Sequence, residues 1–171
     1  MRGDKVEDKY LVFEKYIEQY SERLSRLCCN LCRNYADADD LFQDTWFKAM
    51  KNFDKYDKTR DFGKWLFAVC VNTYKNTRYK ADNRRQINFD TTEEKDIFLS
   101  SLPDTAVSNE KYDELIEVIR ELPDKYRMII ALRYFNDHSE KDVAQIMKIP
   151  VGTVKSRLSK ARQLIRRKLL L

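Results

Sequence analysis

Two apolar-periodic segments joined by one short turn most narrow what this chain can fold into. Ser139 to Ile149, SEKDVAQIMKI, repeats its apolar residues at helical spacing, and Pro150 then opens VGTVKSRLSKARQLIRRKL with a period of its own. Residues 151–171 hold seven Lys or Arg and no Asp or Glu, more than the net +5 of the whole chain, so the remainder is slightly acidic. Two helices joined by a tight turn, the second cationic, read as a helix-turn-helix that suits DNA. A basic helix that is merely solvated, or that meets an acidic protein, is the other reading of the same charge.

The rest of the chain is expected to be helical too. Three Gly and three Pro in 171 residues, with no run of alternating β-branched residues, favour an all-α class. The N-terminus, MRGDKVEDKYLVF, is charged and lacks an apolar signal core, and no stretch reaches the length that spans a bilayer, so a cytoplasmic protein without membrane insertion is expected. Cys28, Cys29, Cys32 and Cys70 suit small core residues kept as thiols in a reducing compartment. Cys29 and Cys32 also spell C-x-x-C, but a structural zinc site needs a second ligand pair, so no metal and no cofactor is expected. His138, in NDHSEK, reads as a turn residue.

Along the chain, Tyr10 to Asn34 is a first amphipathic helix with Ile17, Leu24, Leu27, Cys28 and Leu31 on its apolar stripe. Asp37 is expected to cap the next helix, on which Phe42, Trp46, Ala49, Met50 and Phe53 face inward. A second stripe on that helix collects Asp40, Gln43, Asp44, Phe47 and Lys51. A large aromatic among polar groups suits a partner surface; packing of Phe47 on a neighbouring helix is the alternative. Phe62 to Lys80 makes a third helix with Trp65, Leu66, Val69, Cys70 and Thr73 inside. Its other face gathers Lys64, Asn72, Lys75, Asn76, Arg78, Tyr79 and Lys80, followed by Arg84 and Arg85. Cations interleaved with Tyr and Asn suit single-stranded nucleic acid, because cations track phosphates while aromatic and amide groups meet unstacked bases.

From Ala81 to about Val107 the periodicity fades into a linker. Ser108 then starts a helix with Tyr112, Leu115, Val118, Ile119 and Leu122 on one side, and Pro123 suits the first turn of the next. Ser139 with Asp142 makes a capping pattern for the first helix of the helix-turn-helix, with Val143, Ala144, Ile146 and Met147 inside. Pro150 fits the first position of the second helix, whose buried side is Val154, Leu158, Ala161 and Ile165. Lys155, Ser156, Ser159, Lys160 and Gln163 point outward, flanked by Arg157, Arg162, Arg166 and Arg167. Gly152 and Thr153, at the positive helix start, are placed to meet a phosphate.

At these residues the chain resembles the alternative sigma factors of bacterial RNA polymerase, in particular the small extracytoplasmic-function group. IPVGTVKSRLSKAR from Ile149 to Arg162 looks like the family's promoter-reading motif, DADDLFQDTWFKAM from Asp37 to Met50 like its core-binding helix, and FGKWLFAVCVN from Phe62 to Asn72 is a third match. The resemblance implies two helical domains, residues 8–82 and 108–171, joined by a flexible linker at 83–107. The first would bind the β′ clamp of core RNA polymerase through Asp40, Gln43, Asp44, Phe47 and Lys51. It would also melt the −10 promoter element, with the loop holding Tyr56, Lys58, Arg60 and Asp61 taking a flipped base and Asn72 standing where the family carries its Asn. The second would read the −35 element as duplex, with Ser156, Ser159 and Lys160 on DNA-facing positions. The linker would run toward the RNA exit path beside the β subunit, with Thr92 to Asp96 as an acidic mimic of nucleic acid. A monomer and an anti-sigma factor partner follow from the same resemblance.

The chain departs from the family pattern at Lys148, where many members carry Gly in the turn, so a left-handed non-glycine or an altered turn is expected. Ala68 and Val71 stand where basic residues are frequent, and Asn76 replaces a frequent Asp. Two other function classes compete. A stand-alone helix-turn-helix regulator explains the C-terminus but leaves Asp40, Gln43, Asp44 and Phe47 unassigned. An enzyme needs a catalytic constellation, and one histidine without a Gly-rich phosphate loop supplies none, so the chain is not expected to be an enzyme.

Overall fold

The computed structural model describes residues 3–84 and 110–170, with side chains for 9–78 and 112–170. Helix α1 spans Gly3–Leu31, α2 Tyr35–Lys51, and a 3-10 turn at Phe53–Lys55 leads to α3 at Phe62–Arg84. Helix α4 covers Glu110–Arg120 and α5 covers Asp124–Ile130, continuing as a π turn over Ala131–Phe135. Helices α6, Glu140–Met147, and α7, Val151–Leu169, complete the described elements, all of them helical. The all-α expectation holds. The linker and the acidic stretch at 92–96 lie outside the described residues.

Helix α2 begins one turn earlier than Asp37 suggests. Asn34 is extended, at φ −137° and ψ 164°, and its side-chain oxygen accepts from the Asp37 N–H at 2.7 Å. Asn34 is therefore the cap, and Asp37 sits in the first turn, where its carboxylate faces the positive helix end. Pro123 and Pro150 likewise occupy cap positions, one residue before α5 and α7, because their extended ψ of 141° and 147° precedes the first helical residue.

The first three helices close around rings. Phe13 meets Trp46, Phe53 and Phe62 edge-on at 5.7, 5.1 and 6.3 Å, and Tyr16 stacks on Phe62 at 3.8 Å. Edge-to-face pairs of this kind add to the stabilisation that burial supplies. Deeper in, Cys28, Cys29, Cys32 and Cys70 are free thiols in the core, with the Cys28 and Cys70 sulfurs 3.8 Å apart. The hydrogen bond with Cys70, and then burial, hold the Cys28 thiol well above its usual range, which disfavours the thiolate that metals and oxidants require. Among the described residues no group of three or more His, Cys, Asp or Glu is placed to hold a metal ion. No described helix is long and apolar enough to cross a membrane.

Helix α3 is buried on more sides than its expected inner face. Leu66, Cys70 and Thr73 face α1 and α2 as the periodicity predicts, but Phe67, Val71 and Tyr74 are also buried. The additional face meets the C-terminal helices: the Phe67 ring lies edge-on to His138 at 5.0 Å. His138 is thus buried at the seam between the two helix groups as well as standing in a turn. One buried cluster runs through both groups, from Phe13 to Ala161.

Arg127 joins the groups by its polar atoms. It is 1% exposed, and its Nε donates to Leu31 O at 3.1 Å, Nη1 to Arg120 O at 2.7 Å and Leu122 O at 3.0 Å, and Nη2 to the Tyr74 hydroxyl at 2.5 Å and to Asp124. Five donors meet five acceptors, which is what a guanidinium withdrawn from water requires. The Tyr74 hydroxyl passes its own proton toward Asp124 at 3.1 Å.

Candidate functional site

Three surfaces carry the residues singled out above. On α2, burial of Leu41, Thr45, Trp46 and Ala49 turns the opposite stripe outward. Asp40, Gln43, Asp44, Phe47 and Lys51 are all exposed, and Phe47 keeps 69% of its surface. The alternative in which Phe47 packs on a neighbouring helix is therefore excluded. Gln43 Nε2 donates to Asp39 at 2.7 Å, leaving its carbonyl oxygen outward. Beside the stripe lies a groove of about 440 Å³ whose walls include Arg33, Asp40, Asp44, Thr77 and Arg78. An exposed ring among carboxylates, next to a concave wall, is the anatomy of a protein-docking surface.

The second surface comprises the loop before α3 and the outer side of α3. The loop is held by its own polar groups: Asp57 accepts from the Thr59 N–H at 3.0 Å and hydroxyl at 2.7 Å, and Asp61 accepts from the Lys64 N–H at 2.8 Å. Asp61 thus caps the start of α3, a structural role that the sequence reading did not assign. Lys58 and Arg60 are exposed on the loop. Tyr56 is not: it is 7% exposed, 5.0 Å from the Trp65 ring, with its hydroxyl donating to Arg60 O. Its expected place among direct nucleic-acid contacts is corrected to that of the anchor under the loop, because the surrounding Phe53, Phe62 and Trp65 leave its ring no free face.

On α3 itself, Asn72, Lys75 and Asn76 are exposed. Lys64 is tied to Asp142 of α6 at 2.5 Å, and Arg78 to Asp124 at 3.4 Å. The Tyr79 side chain lies outside the described residues. Between α3 and α6 is a cleft of about 780 Å³ lined by Arg60, Lys64, Trp65, Asn72, Gln145 and Lys148 among others. Gly63 makes this region possible, since a Cβ there would stand 2.6 Å from the Tyr20 ring. Neither Gly63 nor the inward role of Tyr74 was legible from spacing. Arg127 had one signal, a cation set directly against the apolar run MIIAL that follows it.

The third surface is α7. Ser139 and Asp142 form the full capping box that starts α6. Lys148 ends it in the left-handed conformation, φ 54° and ψ 49°, with its N–H directed to Ala144 O and Gln145 O, so the tight turn survives without glycine. Val154, Leu158 and Ala161 are buried, while Ile165 is half-buried. Gly152, Lys155, Ser156, Ser159, Lys160, Arg162 and Gln163 are exposed; Thr153 and Arg157 are half-buried. The Ser156 hydroxyl donates to Thr153 O at 3.1 Å, and Lys168 pairs with Glu121, one residue past α4, bracing the far end of the helix. What remains is a capped, braced helix whose outward stripe is cationic and hydroxylic, the composition that meets phosphates and base edges in a major groove.

Comparison with known proteins agrees with this geometry. Residues 16–85 match Sigma-70 region 2 and residues 112–165 match Sigma-70, region 4. The ECF RNA polymerase sigma-E factor of Escherichia coli (strain K12) is 30% identical over 162 residues, covering 90% of this chain and 84% of that protein. The chain belongs to the ECF RNA polymerase sigma factors. The ECF RNA polymerase sigma factor SigW of Bacillus subtilis (strain 168) is 29% identical over 165 residues, covering 92% of this chain and 88% of that one. Among solved structures, the sigma factor RpoE in complex with the anti-sigma factor NepR from Bartonella quintana shares the fold, with a TM-score of 0.76 at 21% identity over 93% of this chain and 97% of that one. CnrH in complex with the cytosolic domain of CnrY shares it with a TM-score of 0.66 at 20% identity over 92% and 86%. The protein is an alternative sigma factor, a transcription initiation factor of the ECF group.

Proposed function

We propose that this sigma factor divides its work among the three surfaces. Residues 8–82 form the unit that docks on the β′ clamp of core polymerase and opens the −10 element, residues 108–171 form the unit that reads the −35 duplex, and 83–107 connect them near the β subunit. The exposed Phe47 beside Asp40, Gln43 and Asp44 carries the docking assignment, since a ring left 69% exposed in water is stabilised when a partner covers it.

On the −10 side, Lys58, Arg60, Lys75 and Arg78 attract the phosphates of a displaced strand, and Asn72 and Asn76 offer amides to unstacked bases. Extrusion of a base costs a few kcal/mol, which stacking and amide contacts must offset. On the −35 side, the N–H groups and hydroxyl at Gly152 and Thr153 set the register on the backbone. Ser156, Ser159 and Lys160 then reach base edges, with Lys155, Arg157, Arg162 and Gln163 around them. No catalytic step is assigned to this chain in that role, which is exercised in the cytoplasm. One structural neighbour is a complex with an anti-sigma factor, NepR, which supports a partner of that class here, with the sigma factor itself a monomer.

A pull-down with bacterial core RNA polymerase, followed by run-off transcription from the promoter upstream of its own gene, tests the reading. Stoichiometric binding with promoter-dependent transcripts is expected. Tight duplex binding by the chain alone, without polymerase binding, points instead to a stand-alone regulator.

A further inference from the structure

The cleft between α3 and α6, about 780 Å³, lies inside the range of roughly 300–1,000 Å³ that small-ligand sites occupy. One wall is a line along α3 through Trp65, Ala68, Val69 and Asn72, and the other comes from Gln145, Ile146 and Lys148 at the end of α6. Trp65, Ala68 and Val69 are half-buried, so neither helix group fills the space against them.

The chemistry of the walls is graded from one end to the other. Tyr56 at 5.0 Å and Phe62 at 5.4 Å back the Trp65 ring and hold it at the cleft as a rigid stacking platform. Farther along, Asn72 and Gln145 are exposed, and neither side-chain amide has a partner among the described residues. Each therefore keeps donors and an acceptor for the edge of a base. At the Lys148 end, burial first, and then the charges of Arg157 and Lys148, lower the Lys75 ammonium below its ordinary range, so three cations from three segments converge there. Among the described residues no carboxylate stands within ion-pair distance of any of the three, and an anion between them relieves their repulsion. Lys148 holds its cation at this corner on a left-handed backbone, φ 54°, which glycine adopts at less cost.

We propose that this cleft binds a free purine nucleoside polyphosphate, its base stacked on Trp65, the base edge read by Asn72 and Gln145, and its phosphates held by Lys148, Lys75 and Arg157. Trp65 and Lys75 stand about 15 Å apart along α3 at 1.5 Å per residue, which leaves room for an extended polyphosphate between ring and cations. A purine offers Trp65 a larger stacking face than a pyrimidine does. A single strand carries the same base and phosphate chemistry, but it needs cations along its whole path. Here the unpaired cations gather at one end, while Arg60 and Lys64 at the other are paired with Asp57 and Asp142. The site goes beyond promoter reading, since Gln145 and Lys148 belong to neither of the DNA-contact sets above.

The test titrates the full chain with ATP, GTP and UTP by calorimetry, with tripolyphosphate and a random-sequence trinucleotide as comparisons. Trp65 emission is followed in parallel, with Trp65→Phe as the blank. One ATP or GTP per chain, with Kd of about 1 mM or tighter, quenched Trp65 emission and weaker binding of UTP are expected. Lys148→Gly suits the left-handed backbone and Gln145→Ala lies on an exposed position, so both keep their helix content by circular dichroism. Each is expected to bind ATP about fivefold more weakly, the loss of one polar contact. Absence of saturable binding by any nucleotide overturns the proposal, as does ATP affinity unchanged in both variants. Tripolyphosphate binding as tightly as ATP overturns it by showing that the base makes no contact. Binding of the trinucleotide without binding of ATP or GTP also overturns it, and returns the cleft to the −10 surface, whose assignment then stands.

Discussion

Lys64 and Asp142 sit 78 positions apart and meet at 2.5 Å, and the carboxylate that holds Lys64 is the one that closes the capping box on Ser139. Asp142 therefore starts α6 and fastens it to α3. These two bonds pull its carboxyl down to about 2. Asp142→Ala removes both functions and is expected to cost about 1–2 kcal/mol, most of it from the cap. Lys64→Ala removes only the ion pair and costs under about 1 kcal/mol. Urea denaturation of the two variants separates the terms; equal losses would show that the cap contributes nothing measurable.

Phe47→Ala with Asp44→Ala takes the ring and a carboxylate from an exposed stripe, so the fold is expected to keep its melting temperature. Affinity for core polymerase is expected to fall at least tenfold, about 1.4 kcal/mol, as for a central interface residue. Titration against labelled polymerase measures it, and unchanged affinity removes α2 as the docking face.

Lys160 is exposed on the outward stripe of α7. Lys160→Ala is expected to weaken the −35 duplex contact by about 1–3 kcal/mol if it reaches a base edge. If it meets a phosphate, the salt slope of promoter binding drops by about one instead. Wild-type output from every −35-dependent promoter in run-off assays would remove the residue from the reading surface.

Gly63→Ala places a methyl group 2.6 Å from the Tyr20 ring, with Asp61 Oδ1 on its other side at 3.2 Å. The ring is packed on Phe62 at 5.5 Å and cannot retreat without disturbing the loop anchored by Tyr56. Overpacking of this kind is expected to cost about 1–3 kcal/mol. The companion change Tyr20→Leu should restore much of that loss, and a Gly63→Ala protein as stable as wild type would show that the ring moves freely.

Burial, and next the charge of Arg23, hold the His138 imidazole below its ordinary value of 6.5, against the opposing pull of Asp142 and Asp61. As pH falls through 6.5, the unfolded chain takes up the proton first, so stability is expected to decline from there down to the lower folded-state value. His138→Gln removes that slope. Denaturant titrations between pH 7.5 and about 5 read it, and parallel curves for the two proteins would place His138 in a solvated site.

Helices held by short-range chemistry were legible before any coordinates. Ser139 with Asp142, the apolar line through Val154, Leu158 and Ala161, and the separation of Trp46 from Phe47 all rest on residues three, four or seven apart. At Lys148 two outcomes stayed open, a left-handed non-glycine or an altered turn, and the backbone at φ 54° decides for the first. The misplaced cap of α2 marks the margin of this method: Asn34 and Asp37 both suit a helix start, and only the extended backbone at Asn34 separates them.

The periodicity of one helix states which side is apolar but not what covers it, nor whether a second side is covered as well. Phe67, Val71 and Tyr74 of α3 are buried by helices that begin at least 36 residues later in the chain, and Tyr56 by rings from the 3-10 turn and α3. Arg127 finds its acceptors on three other segments, one of them 96 positions away. Local sequence sets helix starts, stops and faces because those forces act within a turn or two. The assignment of Arg127, His138 and Lys64 to one seam waited for the tertiary structure, because desolvation and pairing depend on neighbours that only folding brings together.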